Sequence, residues 1–350
     1  MSSLPEFSFS TTADEVAAAL AAEIKGKNGI YLAPPSNLIQ FRRWSNPIST
    51  VLITGTSIGG IGFETARVLA KYASLVIITG HNAERLKLSE DAIKKETPTA
   101  NIRTLLLDLS SLESIRTAAA QLEDLDALHV LIHNAAAPIG PFKLTRDNLE
   151  SQSATDHIGP FLFTRLLSPK LLSSNKTTFT PRVVWVSSSA HASVPAFDVN
   201  QVVGMGKDAV TEGTYEPMKV YSNVKAANVL MAVEVSRRSG GRVNGYSLCP
   251  GMVYTNMHQK EESLATLQTL GILGADGKPS TDKFAFKTIP QGASTTIVAA
   301  FDPRLDDQPG AYLSNAAIAN ETRAAHSADA ANAERLWTQT EEILGEKFAF

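Results

Sequence analysis

The chain has a single cysteine, Cys249, in 350 residues. No internal disulfide can form, so stability has to come from a packed core, and a reducing compartment is expected. No uncharged apolar run approaches the roughly 18–20 residues of a membrane span, so no transmembrane segment is expected. Met1 to Glu6 show no basic stretch ahead of an apolar one, which predicts no secretory leader and a cytoplasmic location. Neither charge is in excess: 32 Lys plus Arg stand against 35 Asp plus Glu, a net charge of −3. Without a basic stripe, nucleic acid is not an expected partner. The seven histidines fall into no His-Glu-x-x-His or Cys/His spacing, so no metal site is expected. What the chain does have is 43% hydrophobic and 19% charged residues, enough apolar material for a large core.

Thr12 and Glu15 have capping-box spacing, and residues 16–24 follow as a short helix, so 1–28 reads as a helical extension. Residues 29–50 contain Pro34, Pro35 and Pro47 with Arg42, Arg43 and Trp44, and show neither helical nor strand periodicity; they read as an irregular insertion. From residue 51 to 345 a regular alternation takes over. Short β-rich runs at 51–53, 75–78, 103–107, 128–132, 182–186 and 242–248 are separated by helical spacings such as 63–72, 112–122, 161–172 and 221–238. This alternation predicts one α/β domain, a doubly wound parallel sheet flanked by helices, with ligands beyond the C-terminal strand ends.

The first strand runs into Thr54-Gly55-Thr56-Ser57-Ile58-Gly59-Gly60-Ile61-Gly62 and then a helix. Glycines there let the backbone turn tightly and approach a pyrophosphate, whose charge the helix N-terminus stabilises. A NAD-binding site would place an acid after the second strand to hold the ribose 2′-hydroxyl. This chain instead has Thr79-Gly80-His81-Asn82 followed by Arg85, which favours NADP (NADPH); Glu84 nearby keeps NAD open, and a plain turn is the bland alternative. Tyr221 and Lys225 are four residues apart at the start of a helical segment, so phenol and ammonium share one face. An ammonium favours phenolate and fits a phenol for acid–base work. The fifth strand ends in Ser187-Ser188-Ser189-Ala190-His191; a Ser-His hydrolase is not favoured, because Gly-x-Ser-x-Gly is absent. His157 and His191 are expected to be structural.

Together these motifs resemble the short-chain dehydrogenase/reductase family, in particular its retinol-dehydrogenase-like and fungal-type members. The resemblance runs from about residue 49 to 345. It includes the glycine loop, Asp108-Leu109, His133-Asn134-Ala135-Ala136, Ser188, Tyr221, Lys225, Pro250-Gly251-Met252-Val253-Tyr254-Thr255 and the tail from Leu336 to Glu342. It implies a Rossmann-type fold and an NAD(P)(H)-dependent oxidoreductase that interconverts a carbonyl and an alcohol on a small, lipophilic substrate. Tyr221 would be general acid and base, Lys225 would hold the nicotinamide ribose, and Ser188 would polarise the carbonyl. Gly55, Ser57, Gly60, Ile61, Gly62, His81, Asn82, Asp108, Asn134, Val253 and Thr255 would hold the cofactor. Segments near 192–218 and 252–290 would line the substrate side. Homo-oligomerisation and a place in secondary metabolism are family analogies.

Two departures stand out. The glycine loop is one residue longer than Thr-Gly-x-x-x-Gly-Ile-Gly, with Ile58 or Gly59 as the extra residue. The family's fourth catalytic residue, an Asn in a run like Asn-His-x-Gly-x-Phe, is replaced by Asp156 in Asp156-His157-Ile158-Gly159-Pro160-Phe161. A carboxylate there would stabilise the Lys225 ammonium and disfavour phenolate on Tyr221, which predicts a slower or substrate-tuned enzyme. The alternative is a cofactor-binding pseudoenzyme acting as a scaffold or redox sensor.

Overall fold

A computed structural model describes residues 4–25, 29–30, 43–44, 49–174 and 179–350. Its core is an eight-stranded sheet. The strands are β1 (Thr50–Ile53), β2 (Leu75–Gly80), β3 (Ile102–Leu106), β4 (Val130–His133), β5 (Arg182–Val186), β6 (Asn244–Cys249), β7 (Tyr312–Ser314) and β8 (Ala317–Ile318). Their order across the sheet is 8-7-6-5-4-1-2-3, parallel throughout except for the terminal β7–β8 pair. The order reverses between β1 and β4, which opens a crevice beyond their C-terminal ends, the Rossmann arrangement.

Successive residues of the central strands serve opposite faces. Leu52, Leu131, Val183 and Trp185 join one hydrophobic cluster, while Val51, Ile53, Val130, Ile132, Val184 and Val186 join another. A strand apolar at every position is therefore buried on both sides, as parallel sheets require. The helices that cover these faces are α1 (Ala13–Ala19), α2 (Ile61–Leu69), α3 (Ala83–Glu96), α4 (Leu112–Ala120), α5 (Gly159–Ser174), α6 (Pro217–Arg238), α7 (Ile289–Phe301) and α8 (Ala330–Leu344). In α8, Trp337 is fully buried between Phe161 and Phe348, with ring centroids 4.7 and 4.8 Å away.

The N-terminal helix starts three residues earlier than its apolar run suggests. Thr12 caps it with both halves of a capping box, and it breaks at Leu20 before a second short helix, Ala21–Lys25. Ala13, Val16, Ala17, Leu20 and Ile24 are fully buried against the sheet cluster that contains Val51 and Ile53. Asp14 pairs with Arg67 of α2 and with Lys71. This extension thus completes one face of the sheet. The irregular insertion expected at 29–50 lies mostly outside the described residues; Gly29–Ile30 pairs antiparallel with Arg43–Trp44. No helix among the described residues is long and apolar enough to cross a membrane, and no group of His, Cys, Asp or Glu among them could hold a metal.

Candidate active site

The cleft is built at the C-terminal ends of β1, β2, β4, β5 and β6. Beyond β1 the chain turns at Gly55 (φ +70°), where a Cβ would lie 2.8 Å from Ala135 Cα, so only glycine fits. The loop is held from β4: Asn134 Nδ2 donates to the carbonyls of Thr54 and Gly55 at 2.9 and 3.0 Å, and Thr54 Oγ1 accepts the N–H groups of Asn134 and Ala135. Gly60 is the N-cap of α2 and supplies no side-chain cap, so first-turn N–H groups stay available to an anion. Gly62 packs inside this knot, where a Cβ would sit 2.3 Å from Asn134 Nδ2 and 2.5 Å from the Gly55 carbonyl. Gly62→Ala should therefore force the loop off Asn134 and lower stability by about 1–3 kcal/mol, read by denaturant unfolding; a melt superimposable on wild type would contradict this packing.

The extra residue of the loop has a defined place. Ile58 is exposed at the tip and Gly59 takes φ +81°. Asn256, beyond β6, donates its backbone N–H to the Gly59 carbonyl at 3.2 Å and its Nδ2 to the Ile58 carbonyl at 3.1 Å. The lengthened tip is thereby fastened to the segment after Thr255.

After β2, His81 and Arg85 face the cleft. Asn82 does not line it: its Oδ1 accepts the Arg85 N–H at 2.9 Å and caps α3. Its side-chain oxygen is thus committed to the helix. Asp108, at the end of β3, accepts from the N–H and hydroxyl of Ser110.

On the opposite side, α6 opens with Pro217, and Tyr221 and Lys225 follow one turn apart, with Lys225 Nζ 5.4 Å from the centroid of the Tyr221 ring. Lys225 is 4% exposed and donates to Asp156 Oδ2 at 2.9 Å, while Asp156 Oδ1 accepts the Ala137 N–H at 2.7 Å. Asp156 reaches this position because residues Ala154–Ile158 form a π-helical turn ahead of α5, a local widening that turns its carboxylate toward Lys225. Ser187 Oγ donates to the Lys225 carbonyl, fixing α6 to the end of β5. Ser188 caps the 3₁₀ turn Ser189–Ala192, its Oγ accepting the Ala190 N–H at 3.2 Å.

Burial pushes the Tyr221 phenol above its ordinary value; Lys225 and Ser188 oppose this, and the Asp156 carboxylate adds to the rise. For Lys225, burial works to lower the pKa, but the carboxylate of Asp156 and the Tyr221 phenol more than offset it, so the ammonium is favoured. The charge of Asp156 thus acts where the sequence places it, on both partners. His157 is buried, pushed down to about 3 by desolvation, and bonded to Thr340 Oγ1 at 2.8 Å. His191 bonds the Ser188 carbonyl through Nδ1 and accepts the Ala324 N–H at Nε2. Neither lines the cleft.

One continuous cleft brings together Gly55, Ser57, Gly60, Ile61, His81, Asp108, Asn134, Tyr221, Lys225 and Thr255. Gly62, Asp156, Ser188 and Val253 stand behind or beside its wall; Val253 is buried against Gly292. Met257, in the segment expected on the substrate side, lines the same cleft, as do Asn256 and Lys260, which sequence reasoning did not single out. Asn256 and Lys260 have no recurrent pattern of their own; their sequence signal is that they follow Thr255 within the 252–290 segment.

The short chain dehydrogenase family profile matches residues 49–200. The chain is 33% identical to the chloroplastic short-chain dehydrogenase TIC 32 A of Brassica napus, over 89% of this chain and 93% of that protein. It is 34% identical to the short-chain dehydrogenase/reductase prx1 of Penicillium roqueforti, over 84% of each. It is 32% identical to human polyprenol dehydrogenase, over 85% and 86%. A crystal structure of an uncharacterised protein from Mycobacterium paratuberculosis matches with a TM-score of 0.63 at 26% identity, covering 87% of this chain and 96% of that one. With its sheet order, its glycine loop and its Tyr221–Lys225 pair at one crevice, the chain belongs to the short-chain dehydrogenase/reductase family.

Proposed function

We propose that the protein is a nicotinamide-dependent oxidoreductase, with NADPH preferred, that interconverts a lipophilic alcohol and its carbonyl. The observation that carries this reading is the single cleft joining the uncapped start of α2 at Gly60 to Tyr221 and Lys225. Its residues suit a dinucleotide: N–H groups for phosphates at one end, polar groups along the walls, and a phenol–ammonium pair at the other. Gly55, Ser57, Gly60 and Ile61 would hold the pyrophosphate, His81 and Arg85 the adenosine ribose and its phosphate, and Asp108 the adenine. Lys225, the Val253 backbone and Thr255 would hold the nicotinamide end. Bound there, the nicotinamide supplies the hydride. The chain's own groups handle the proton. In reduction Tyr221 Oη donates its proton to the substrate oxygen, and in oxidation it takes the proton back. Ser188 Oγ donates a hydrogen bond to that same oxygen and orients it. The missing acid after β2 supports NADPH, since a carboxylate there would repel a 2′-phosphate. Segments 192–218 and 252–290 would shape the substrate side, and the similarity to a polyprenol dehydrogenase supports a lipophilic alcohol.

A second reading is favoured by one observation. Asp156 neutralises Lys225 in a buried pair, which suits a cofactor-binding scaffold or redox sensor that turns over little. The test is a panel of aliphatic and aromatic ketones, aldehydes and alcohols assayed for oxidation or reduction of the nicotinamide. Turnover with any lipophilic member, lost in Tyr221→Phe, supports the enzyme. Cofactor binding without turnover across the panel supports the scaffold.

A further inference from the structure

Among the described residues lining the cleft, three carry a formal positive charge: Arg85, Lys225 and Lys260. Lys225 already holds Asp156. Arg85 and Lys260 make no ion pair with another described residue, although the cleft lies between them. Arg85 comes from the start of α3. Lys260 comes from the other wall, at the foot of the helix Glu261–Thr269. The adjoining groove is lined by the same two cations with Ser57, Ile58 and Asn256, so both flank the tip of the glycine loop.

Lys260 is held in this position by its own segment. Successive turns run from Thr255 to Lys260: His258 N–H donates to the Thr255 carbonyl, Gln259 N–H to Asn256, and Lys260 N–H to Met257. The first of these turns is fastened to the extra residue of the glycine loop through the two Asn256 hydrogen bonds. Two half-free cations facing a loop rich in available N–H groups form a slot that favours a ligand carrying several negative charges.

We infer that Lys260 is a phosphate-binding residue of the cofactor site, supplied by the segment after β6 and kept over the dinucleotide phosphates by the Asn256 latch on the lengthened glycine loop. The inference rests on the proposed cofactor reading. It gives the extra loop residue a purpose: it is the part of the loop that Asn256 grips.

The test is titration of NADPH and NADH against the full chain, as wild type, Lys260→Ala, Lys260→Arg and Asn256→Ala, at low and raised salt. Lys260→Ala should weaken binding about tenfold and flatten its salt dependence, as loss of one charge-assisted contact does. Lys260→Arg should restore most of both. A loss confined to NADPH places Lys260 on the 2′-phosphate; an equal loss for NADH places it on the pyrophosphate. Asn256→Ala should release bound cofactor faster, and an unchanged release rate removes the latch. Wild-type affinity and salt dependence in Lys260→Ala overturn the inference while leaving the cofactor reading intact. A wild-type chain that binds neither nucleotide overturns both.

Discussion

Tyr221→Phe should abolish turnover, lowering kcat by about 10²–10⁴-fold, the range for loss of a positioned acid or base. The substitution keeps the ring that Lys225 lies against, at 5.4 Å from its centroid, and removes only the hydroxyl. The cofactor dissociation constant should therefore move far less than kcat. That split separates a chemical role from a packing role, since a damaged cleft would lose both together. Burst kinetics with a saturating substrate provide the measurement. Turnover within a few-fold of wild type would remove the phenol from the chemistry and leave the ordered cleft without its proton donor.

Asp156→Asn should have the second largest effect, and its sign follows from the pair. The carboxylate helps hold the Tyr221 phenol above its ordinary value and holds the Lys225 ammonium firmly charged. Replacing it with a neutral amide of the same shape removes the charge that disfavours phenolate, while Oδ1 can still accept the Ala137 N–H. The phenol then ionises at lower pH. The oxidative direction needs phenolate, so its rising limb should shift to more acidic pH, with a gain on that limb on the order of several-fold to tenfold. The reductive direction needs the protonated phenol, so its falling limb should shift the same way. Stability should also drop, because a buried ion pair that loses one partner leaves the other uncompensated. Asp156→Ala, which removes the amide as well, should cost about 3–5 kcal/mol, and the difference between the two variants separates charge from packing. An unchanged pH profile in Asp156→Asn would mean that the pair does not tune Tyr221.

Much of this site is written locally and is legible for that reason. Arg182–Val186 reads as a strand because every side chain is apolar or aliphatic along its stem, and the structure gives the strand those limits. The glycine loop, Asn134, Tyr221 and Lys225 each sit at a strand end or helix start, so their order along the chain already places them at one crevice. Other features depend on partners distant in sequence. β7 and β8 contain three and two residues, joined through Asn315 and Ala316 at positive φ, and exist as strands because β6 offers an edge to Tyr312–Ser314. Among the described residues β3 pairs with β2 alone, and Thr104 and Leu106 are exposed at this sheet edge; its limits, Ile102–Leu106, lie one residue before those of the apolar run. Asn82 carries two readings, turn or ribose contact, and the helix that follows takes its oxygen. Asp156 is visible as a departure in the sequence, but the π-helical turn is what brings it within 2.9 Å of Lys225. Asn256 and Lys260 have no pattern of their own; what gives them meaning is a loop about two hundred residues earlier in the chain.

The central claim is that the cleft from Gly60 to Tyr221 is a nicotinamide dinucleotide site. It is tested most directly by titrating purified, cofactor-free protein with NADPH and NADH side by side. Saturable binding of both, tighter for NADPH, is the predicted result, with Arg85 and the missing acid after β2 as its physical cause. Binding of neither would contradict the account, because the lengthened glycine loop would then be a closed turn and Tyr221 and Lys225 would have no hydride donor to serve.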